Sequence, residues 1–324
     1  MHEVSIISRK FMGLLQDAAL IRRLMTERGL GSRLFMARIR NRYGLPARLA
    51  MRAAMTAGED KPAVNVMLND IWPQWLPFAR RNVMLPNHEY IGEHSVARIG
   101  EMDLVMCKTR VAEQAIGALG ANVLYTGFTT PDDPYDPAIA RNRNRFLHVT
   151  GTTTQKGTKP LLDLWKAHPD WPELVVVVRL PWAAPAIYAA PNITIIDREV
   201  PPGEMAVLQN QCGVHICPSE AEGYGHVLAE GLACAAVVIT TDGDPMNELI
   251  RPEHGVLVPW SRSEPKALAT AYFVDPDALE AAVERVLAMS DEAFAAMGRR
   301  GRRFYLSERR AFLRRFAAAW DSLV

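Results

Sequence analysis

The sequence predicts an α/β protein with two domains, each holding a parallel β-sheet between layers of helices. Its 324 residues are enough for two domains with cores of their own. Short runs of β-branched and apolar residues recur along the chain, and they are continuous rather than alternating, as in strands buried on both faces. Helical stretches separate these runs, and this βα repetition is typical of parallel sheets.

The predicted strands form two series, one in each half of the chain. The first comprises Val4–Ile7, Val64–Leu68, Val83–Leu85, Leu104–Met106 and Val123–Tyr125. The second comprises Phe146–Val149, Leu174–Val178, Ile193–Ile196, Val214–Cys217, Val237–Thr240 and Gly255–Val258. Helices are predicted at Val111–Leu119, Lys159–His168 and Met205–Gln211, with two or three more after Asp275. In the last of these, Phe312, Leu313, Phe316 and Trp320 recur at helical spacing, which predicts a stripe that packs in a core.

Prolines and charged residues interrupt the pattern at 131–145 and mark the expected domain boundary. The predicted domains are 1–140 and 141–302, followed by a final helical segment at 303–324. The first residues lack the charged and apolar regions of a signal peptide, so none is expected, and no apolar run approaches the ~20 residues of a membrane span. The four cysteines lack CxxC spacing, which favours reduced, buried thiols in a cytoplasmic protein and argues against a zinc site.

Positive charge is concentrated at the two ends of the chain. Residues 1–52 hold eleven Lys and Arg against three acids, and residues 299–315 are also rich in arginine. Between 33 and 52, arginines alternate with apolar residues, and Pro46 divides the segment into two short basic amphipathic pieces. The arginines of this segment are Arg33, Arg38, Arg40, Arg42, Arg48 and Arg52. Packing on the sheet explains the apolar residues but not the uniform sign of the charges. We therefore expect contact with an anionic acceptor or membrane surface rather than with nucleic acid.

The segment PSEAEGYGHVLAE, residues 218–230, carries the clearest functional signal. It follows a predicted strand and turns through glycines into a helix, where unpaired amide N–H groups and the helix dipole favour an anion. Glu222 stands in the turn itself and would repel a lone phosphate. A ligand that fits must therefore offer hydroxyl donors beside its phosphates, and a nucleotide sugar does so.

This segment resembles the E-x7-E motif of retaining GT-B glycosyltransferases of family 4. The resemblance is specific over roughly 146–260 and only architectural before that. It implies that Glu222 holds hydroxyls of the donor sugar and that Glu230 holds the nucleotide ribose. It also implies donor contacts from the turn between them, at Gly223, Tyr224, Gly225 and His226. In this family the last helix packs back on the first domain.

Other positions also resemble donor-binding elements of that family. Lys156, in the loop TGTTTQKG, matches the lysine that reaches the donor diphosphate. Thr152, Thr153 and Thr154 stand where the family usually has an arginine, so hydroxyls would replace its charge. Gly13 lies between the first predicted strand and helix, where the family has a Gly-rich loop. Asn247 and Glu248, after Val237–Thr240, are expected to add donor contacts.

On the acceptor side the resemblance is weaker and rests on Asp17, His88 and Glu89. Asp17 also fits a charge that interacts with the dipole at the start of a helix, and His88 also fits a hydrogen-bonded loop histidine. The implied activity is transfer of a hexose from UDP- or GDP-sugar to a glycan or lipid-linked hydroxyl, with retention, in cell-surface polysaccharide or glycolipid synthesis. No metal or other cofactor is expected, and the protein would act in the cytoplasm or on the inner membrane face.

Two alternatives remain open. A sugar-nucleotide epimerase shares the architecture and needs no acceptor. A non-catalytic protein that binds polyanions through its basic N-terminal region would explain why the first domain is shorter than is usual in the family. An epimerase would need no acceptor, so release of nucleotide that depends on an added acceptor would argue against it. Absence of nucleotide binding would favour the protein that binds polyanions.

Overall fold

The computed structural model describes residues 3–37, 45–56, 60–180 and 187–323. Within these ranges the chain divides into two compact units, each built around a six-stranded sheet. The first unit comprises Met1–Pro131, Lys266–Ala269 and Arg310–Val324. The second comprises Asp132–Pro265 and Thr270–Arg309.

The sheet of the first unit is parallel and has the order β2-β1-β3-β4-β5-β6. Its strands are β1 Val4–Ser8, β2 Ser32–Met36, β3 Val64–Leu68, β4 Arg81–Leu85, β5 Leu104–Cys107 and β6 Val123–Tyr125. Its helices are α1 Met12–Glu27, α2 Leu45–Thr56, α3 Glu93–Val96 and α4 Arg110–Gly117. The strand order reverses between β1 and β3, and ligands of open parallel sheets bind at the carboxyl ends beside such a reversal.

The main sheet of the second unit is also parallel, in the order β12-β11-β10-β7-β8-β9. Its strands are β7 Asn142–Gly151, β8 Glu173–Val178, β9 Ile193–Ile196, β10 Cys212–Cys217, β11 Val237–Thr241 and β12 Val256–Val258. The helices are α5 Thr158–Ala167, α6 Pro202–Gln211, α7 His226–Ala233, α8 Met246–Leu249, α9 Pro276–Leu287 and α10 Asp291–Asp321. A separate two-stranded sheet pairs β13 Trp260–Lys266 with β14 Ala269–Val274. In the main sheet, the reversal of strand order lies between β7 and β10.

Burial of the strands confirms that continuous apolar runs in the sequence mark strands covered on both faces. Strands β3, β10 and β11 are buried along their whole length, as continuous apolar runs covered on both faces should be. In the second unit, the ring of Phe146 packs edge-on against Trp165 at 5.0 Å between centroids. The aromatic stripe near the C-terminus is core, as predicted: Phe312 is fully buried and its ring lies 5.3 Å from that of Phe128.

The basic segment 33–52 differs from its prediction. Part of its first piece is not a helical amphipathic element but an edge strand, β2, in which Arg33 is exposed and Phe35 is buried. The two residues lie on the same face of the strand, with the Arg33 guanidinium 5.2 Å from the centre of the Phe35 ring. Its second piece is the helix α2, with Pro46 in the first turn, where a missing N–H costs no hydrogen bond. Arg38, Arg40 and Arg42 lie outside the described residues.

Two further elements refine the sequence-based picture. Strand β7 begins at Asn142, inside the charged segment 131–145 that marks the expected domain boundary. The β13–β14 sheet was not predicted, because the residues of β13 from Trp260 to Pro265 are all exposed and carry no apolar pattern. The four cysteines are free and buried, as predicted. Along the described ranges, no helix has the length and apolar character needed to cross a membrane.

Candidate functional site

Two loops meet at the reversal of strand order in the second unit, and they carry the residues of the E-x7-E motif and of the TGTTTQKG segment. One loop follows β7 and leads into α5, and the other follows β10 and leads into α7. Because β7 and β10 are parallel neighbours, their carboxyl ends lie at the same edge of the sheet. The amide of Glu220 donates to the carbonyl of Gln155 at 2.9 Å, which ties the two loops together.

Gly157 is the closest point of approach between these loops. Its φ of +61° is in the left-handed region, and a Cβ there would overlap the carbonyl oxygen of Pro218. Only glycine therefore satisfies both the backbone conformation and the spacing at this point. As a result, Lys156 is held directly beside the Glu222 turn.

Lys156 and Glu222 form an ion pair between the Nζ and Oε1 atoms. Both side chains are largely buried, with 13% and 9% of their surface exposed. Lys156 lies in the loop after β7 and Glu222 in the loop after β10, so the pair joins the two loops at the reversal of strand order. A buried pair of this kind keeps both charged groups near the sheet edge, where each can also bind a ligand.

The turn that follows Glu222 is enclosed by protein. Gly223, Tyr224 and Gly225 are buried, and Gly225 adopts a left-handed conformation (φ +94°) just before α7. Tyr224 packs edge-on against the imidazole of His226, with 5.4 Å between ring centroids. His226 is half-buried and is the first residue of α7, so this helix begins four residues after Glu222.

Glu230 lies one turn further along α7 and accepts a hydrogen bond from Gln209 Nε2 at 2.8 Å. Although part of its surface is exposed, the carboxyl group is surrounded by protein, and this burial raises its pKa above the ordinary value. The nearby His226, Lys156 and Gln209 offset part of this effect on the pKa. Gln209 was not singled out from the sequence, because a buried amide in α6 gives no local signal.

His148 connects the elements that carry the two loops of the site. It is fully buried in β7, with Nδ1 2.8 Å from the carbonyl of Ile216 and Nε2 2.9 Å from the hydroxyl of Thr158. Burial lowers the pKa of His148 to about 4, so the ring is neutral at physiological pH. It links β7, β10 and the first residue of α5, and thereby fixes the strand ends from which both loops start.

The three threonines of the first loop occupy different environments. Thr152 and Thr154 are exposed, whereas Thr153 is half-buried. The carbonyl of Thr153 accepts from the Thr150 hydroxyl at 2.7 Å, and its own hydroxyl accepts from the amide of Gln155 at 3.4 Å. Thr153 thus stabilises the loop, while the other two hydroxyls face solvent.

Asn247 and Glu248 lie in the short helix α8, which packs beside the Gly225 turn. A Cβ on Gly225 would lie 3.3 Å from Leu249 of that helix. Asn247 donates to Asp242 Oδ1 at 3.2 Å, so part of its amide is used within the loop after β11. The structure therefore brings this loop next to the E-x7-E turn.

The acceptor-side residues lie in the first unit, where the structure corrects three expectations. Gly13 is the second residue of α1 and not part of a loop before it. Asp17 is not a first-turn dipole residue: it is buried and paired with Lys108, whose ammonium also donates to Asn87 Oδ1 at 2.7 Å. Lys108, which directly follows β5, was missed because its partner lies far away in the sequence.

His88 is not a hydrogen-bonded loop histidine. It is 1% exposed, and neither ring nitrogen has a hydrogen-bond partner among the described residues. Its Nδ1 lies 3.8 Å from the carboxylate of Glu89, too far for a hydrogen bond. Burial, assisted by the charge of Lys108, lowers the pKa of His88 to about 4, so the imidazole is neutral.

The two parallel sheets and their helices define the GT-B fold of glycosyltransferases, which confirms the predicted fold class. Residues 190–304 match the family model described as "Glycosyl transferases group 1". This match contains the E-x7-E segment, α8, α9 and the first part of α10. Over the described ranges, no three His, Cys, Asp or Glu side chains are grouped to hold a metal ion.

Solved structures resemble the chain over nearly its whole length. A sucrose-phosphate synthase from Thermosynechococcus elongatus is 15% identical with a TM-score of 0.73, covering 100% of this chain and 99% of that one. Anabaena HepE, in complex with UDP and glucose, is 13% identical with a TM-score of 0.68, covering 99% and 100%. A Rickettsia africae glycosyltransferase is 12% identical with a TM-score of 0.71, covering 99% and 98%. At these identities the likeness concerns the fold. No curated protein matches the sequence significantly.

Proposed function

We propose that the protein is a glycosyltransferase that moves a hexose-type sugar from a nucleoside diphosphate donor to an acceptor hydroxyl. The observation that carries this proposal is the Lys156–Glu222 pair at the reversal of strand order, beside the N-terminus of α7. The ammonium of Lys156 and the N-terminal amides of α7 are groups that bind a diphosphate. The carboxylate of Glu222 is a group that accepts hydrogen bonds from sugar hydroxyls. The family model that covers this region, and the UDP-glucose bound by Anabaena HepE, favour the same ligand class.

The roles divide between the two loops. Lys156, the N-terminal amides of α7 and the hydroxyls of Thr152 and Thr154 bind the diphosphate. Glu222 accepts hydrogen bonds from the donor sugar, and Glu230 accepts them from the ribose. Gln209 positions Glu230 by donating to the second oxygen of its carboxylate. In the free protein Lys156 neutralises Glu222, and a bound diphosphate competes for the ammonium group.

The transfer step needs stabilisation of the leaving diphosphate. The bond between the anomeric carbon and the phosphate oxygen breaks, and the acceptor oxygen forms its bond on the same face of the sugar. Because the bond forms on the face that the phosphate leaves, configuration is retained, and the acceptor proton passes to the departing phosphate. Lys156 and the helix-terminal amides stabilise the charge that develops on the leaving group, without a required metal ion. NMR assignment of the product anomer tests retention, and an inverted linkage would contradict it.

Calorimetric titration with UDP and GDP tests the donor site. Wild type is expected to bind one of the two nucleotides. Glu230→Ala should weaken that binding by about 1–3 kcal/mol, roughly five- to 150-fold in Kd, because a charged hydrogen bond to the ribose is lost. Glu284→Ala, which removes an exposed glutamate from α9, is the matched control and should bind like wild type.

Three outcomes would contradict parts of this proposal. Absence of binding to either nucleotide would favour a protein that binds polyanions only. Nucleotide release that does not depend on added acceptor would favour an epimerase. Equal affinities of wild type and Glu230→Ala would remove the ribose contact while leaving the donor class intact.

We further propose that the acceptor is presented at an anionic membrane surface on the cytoplasmic side. The evidence is the outer face of α2, where Leu45 and Leu49 are 45% and 55% exposed. Arg52 continues the same face at the i+7 position and is also exposed. An adjacent face packs in the core through Met51 and Met55. A helix anchored by one face, with leucines and arginine on the other, suits the interface of an anionic bilayer.

Co-sedimentation with vesicles tests this surface. Wild type should bind phosphatidylglycerol vesicles at low salt and much less at high salt, because each arginine near such a surface contributes about 1 kcal/mol. The double variant Leu49→Glu/Arg52→Glu should lose at least tenfold in affinity. Leu119→Glu/Arg80→Glu changes one exposed leucine and one exposed arginine elsewhere in the first unit and serves as the control. Equal binding by all three proteins would exclude α2 as the contact.

A further inference from the structure

The hairpin of β13 and β14 meets the loops that carry the candidate donor residues. These are the donor loops, which follow β7, β10 and β11 at the carboxyl edge of the main sheet. Strand β12 is parallel to β11, so it ends at the same edge, and the hairpin starts two residues after it. Strand β13 is exposed from Trp260 to Pro265, whereas every residue of β14 is buried or half-buried. The covered strand, β14, is the one that contacts the donor loops, through Tyr272.

The backbone of Tyr272 holds the loop after β10. Its amide donates to the carbonyl of Glu220 at 2.7 Å. The amide of Glu220 in turn donates to the carbonyl of Gln155 at 2.9 Å. Glu220 is therefore fixed on one side to the loop after β7 and on the other side to the hairpin. It lies two residues before Glu222, and Gln155 directly precedes Lys156, so both members of the ion pair are next to this connection.

The ring of Tyr272 packs on the loop after β11, at Gly243. A Cβ on Gly243 would overlap the ring. The φ of Gly243 lies outside the left-handed region, so the closeness of the ring, and not the backbone conformation, requires glycine here. The carbonyl of Gly243 accepts from the amide of Asn247 at 3.2 Å, at the start of α8. The ring therefore also fixes the start of the helix that carries Asn247 and Glu248.

The other aromatic rings of the hairpin lie on both sides of β14. Trp260 packs beside Tyr272, with 5.3 Å between ring centroids, and thereby covers it. Phe273 is half-buried, as Tyr272 is, and has the guanidinium of Arg262 at 3.7 Å from its ring centre. Successive side chains of a strand point to opposite faces, so the rings of Tyr272 and Phe273 leave β14 on opposite sides. The side of Tyr272 is the one that faces the donor loops.

We propose that Tyr272 is a positioning residue, through which the hairpin holds the three donor loops in the arrangement that binds the donor sugar. The inference rests on the proposed function and adds to it an element outside the E-x7-E motif. Because α8 packs beside the turn that follows Glu222, loosening α8 disturbs the sugar end of the site. The nucleotide end has supports of its own, such as the hydrogen bond from Gln209 to Glu230.

Hydrogen–deuterium exchange of the free protein tests the structural part of this proposal. Tyr272→Ala removes the ring and keeps the backbone amide, so the amides of α8 should exchange about tenfold faster than in wild type. Tyr272→Phe keeps the packing and should exchange like wild type. Phe273→Ala is the matched control, because it removes a half-buried ring from the next position of the same strand. It should leave the exchange of α8 unchanged.

Calorimetry tests the functional part, with UDP-glucose and GDP-mannose as probes beside free UDP and GDP. Tyr272→Ala should weaken binding of the sugar nucleotide that wild type binds by about tenfold, because the sugar contacts are no longer held in place. The Kd of the corresponding free nucleotide should stay within about threefold of wild type, since its contacts do not depend on the ring. Tyr272→Phe and Phe273→Ala should bind both ligands like wild type.

The outcomes separate this proposal from the donor assignment. Unchanged exchange of α8 in Tyr272→Ala, or an equal rise in Phe273→Ala, would overturn the positioning role. Equal weakening of free nucleotide and sugar nucleotide would also overturn it, because that result indicates a general loss of structure. If Tyr272→Ala does not fold, Gly243→Ala, whose methyl group displaces the ring, should show the same two effects. If wild type binds none of the four ligands, the proposed function fails, and the exchange result alone decides whether Tyr272 holds the loops.

Discussion

Glu222→Gln is expected to lower kcat/KM roughly ten- to hundredfold while leaving the affinity for free UDP or GDP nearly unchanged. The proposed partners of Glu222 are hydroxyls of the donor sugar, and free nucleotide lacks that sugar. A hydrogen bond to a charged group contributes about 1.5–3 kcal/mol, and glutamine retains the shape of the side chain without its charge. Steady-state kinetics with the donor found by titration, together with calorimetry of the free nucleotide, measure the two quantities.

Glu253→Gln is the matched control for this change. Glu253 lies in an exposed loop of the same unit, and the substitution is chemically identical. It should behave like wild type in both measurements. If Glu222→Gln turned over donor at the wild-type rate, Glu222 would serve only to hold Lys156. If the Glu222→Gln variant instead bound free nucleotide more weakly, the role of Glu222 would be to organise the charges of the diphosphate site.

Much of the fold could be predicted from the sequence because buried parallel strands have a simple pattern. Val64–Leu68 has the predicted bounds, and the predicted runs Leu174–Val178 and Val237–Thr240 lie within the buried strands β8 and β11. Such strands are apolar on both faces, so a continuous run in the sequence is sufficient to find them. The closeness of Lys156 to Glu222 also follows from the sequence, because loops that follow neighbouring parallel strands must meet at one edge of the sheet.

Elements that lack this pattern could not be predicted. Strand β2 lies at a sheet edge and β13 is exposed, so arginines and serines occur where a buried strand would be apolar. The contacts of Gln209 and Lys108 join distant parts of the chain, and a polar residue gives no indication of its partner before the fold is known. That His88 has no hydrogen-bond partner among the described residues is likewise a property of its surroundings and not of the local sequence.

The two units repeat one electrostatic arrangement. In each, a cation from the loop after one central strand pairs with a carboxylate from the loop after its neighbour, at the reversal of strand order. In the second unit these are Lys156 and Glu222, and in the first they are Arg9 and Asp70. Burial raises the pKa of Asp70, while Arg9 acts to lower it, so the carboxylate depends on the guanidinium for its charge. Ligands that displace or extend such a pair need both donors and acceptors, as sugars and sugar nucleotides have.

Asp17→Ala is expected to destabilise the protein by about 3–5 kcal/mol, because it leaves the buried ammonium of Lys108 without its carboxylate. Each side chain of this pair is 1% exposed, and Lys108 also lies 4.7 Å from the centre of the Phe128 ring. Little water therefore reaches the ammonium to replace the lost partner. Urea unfolding measures the change, through the midpoint of the transition that involves the first unit.

Glu27→Ala is the matched control on the same helix, α1. Glu27 pairs with Arg23 at 2.8 Å, but both side chains are about half-exposed, so the loss should stay below about 1 kcal/mol. The double variant Asp17→Leu/Lys108→Met removes both charges and should recover most of the stability lost in Asp17→Ala, since a buried pair can often be replaced by apolar residues of similar volume. If Asp17→Ala were no less stable than Glu27→Ala but lost turnover through a higher KM for the acceptor, Asp17 would be an acceptor-binding residue, and its pairing with Lys108 would be secondary.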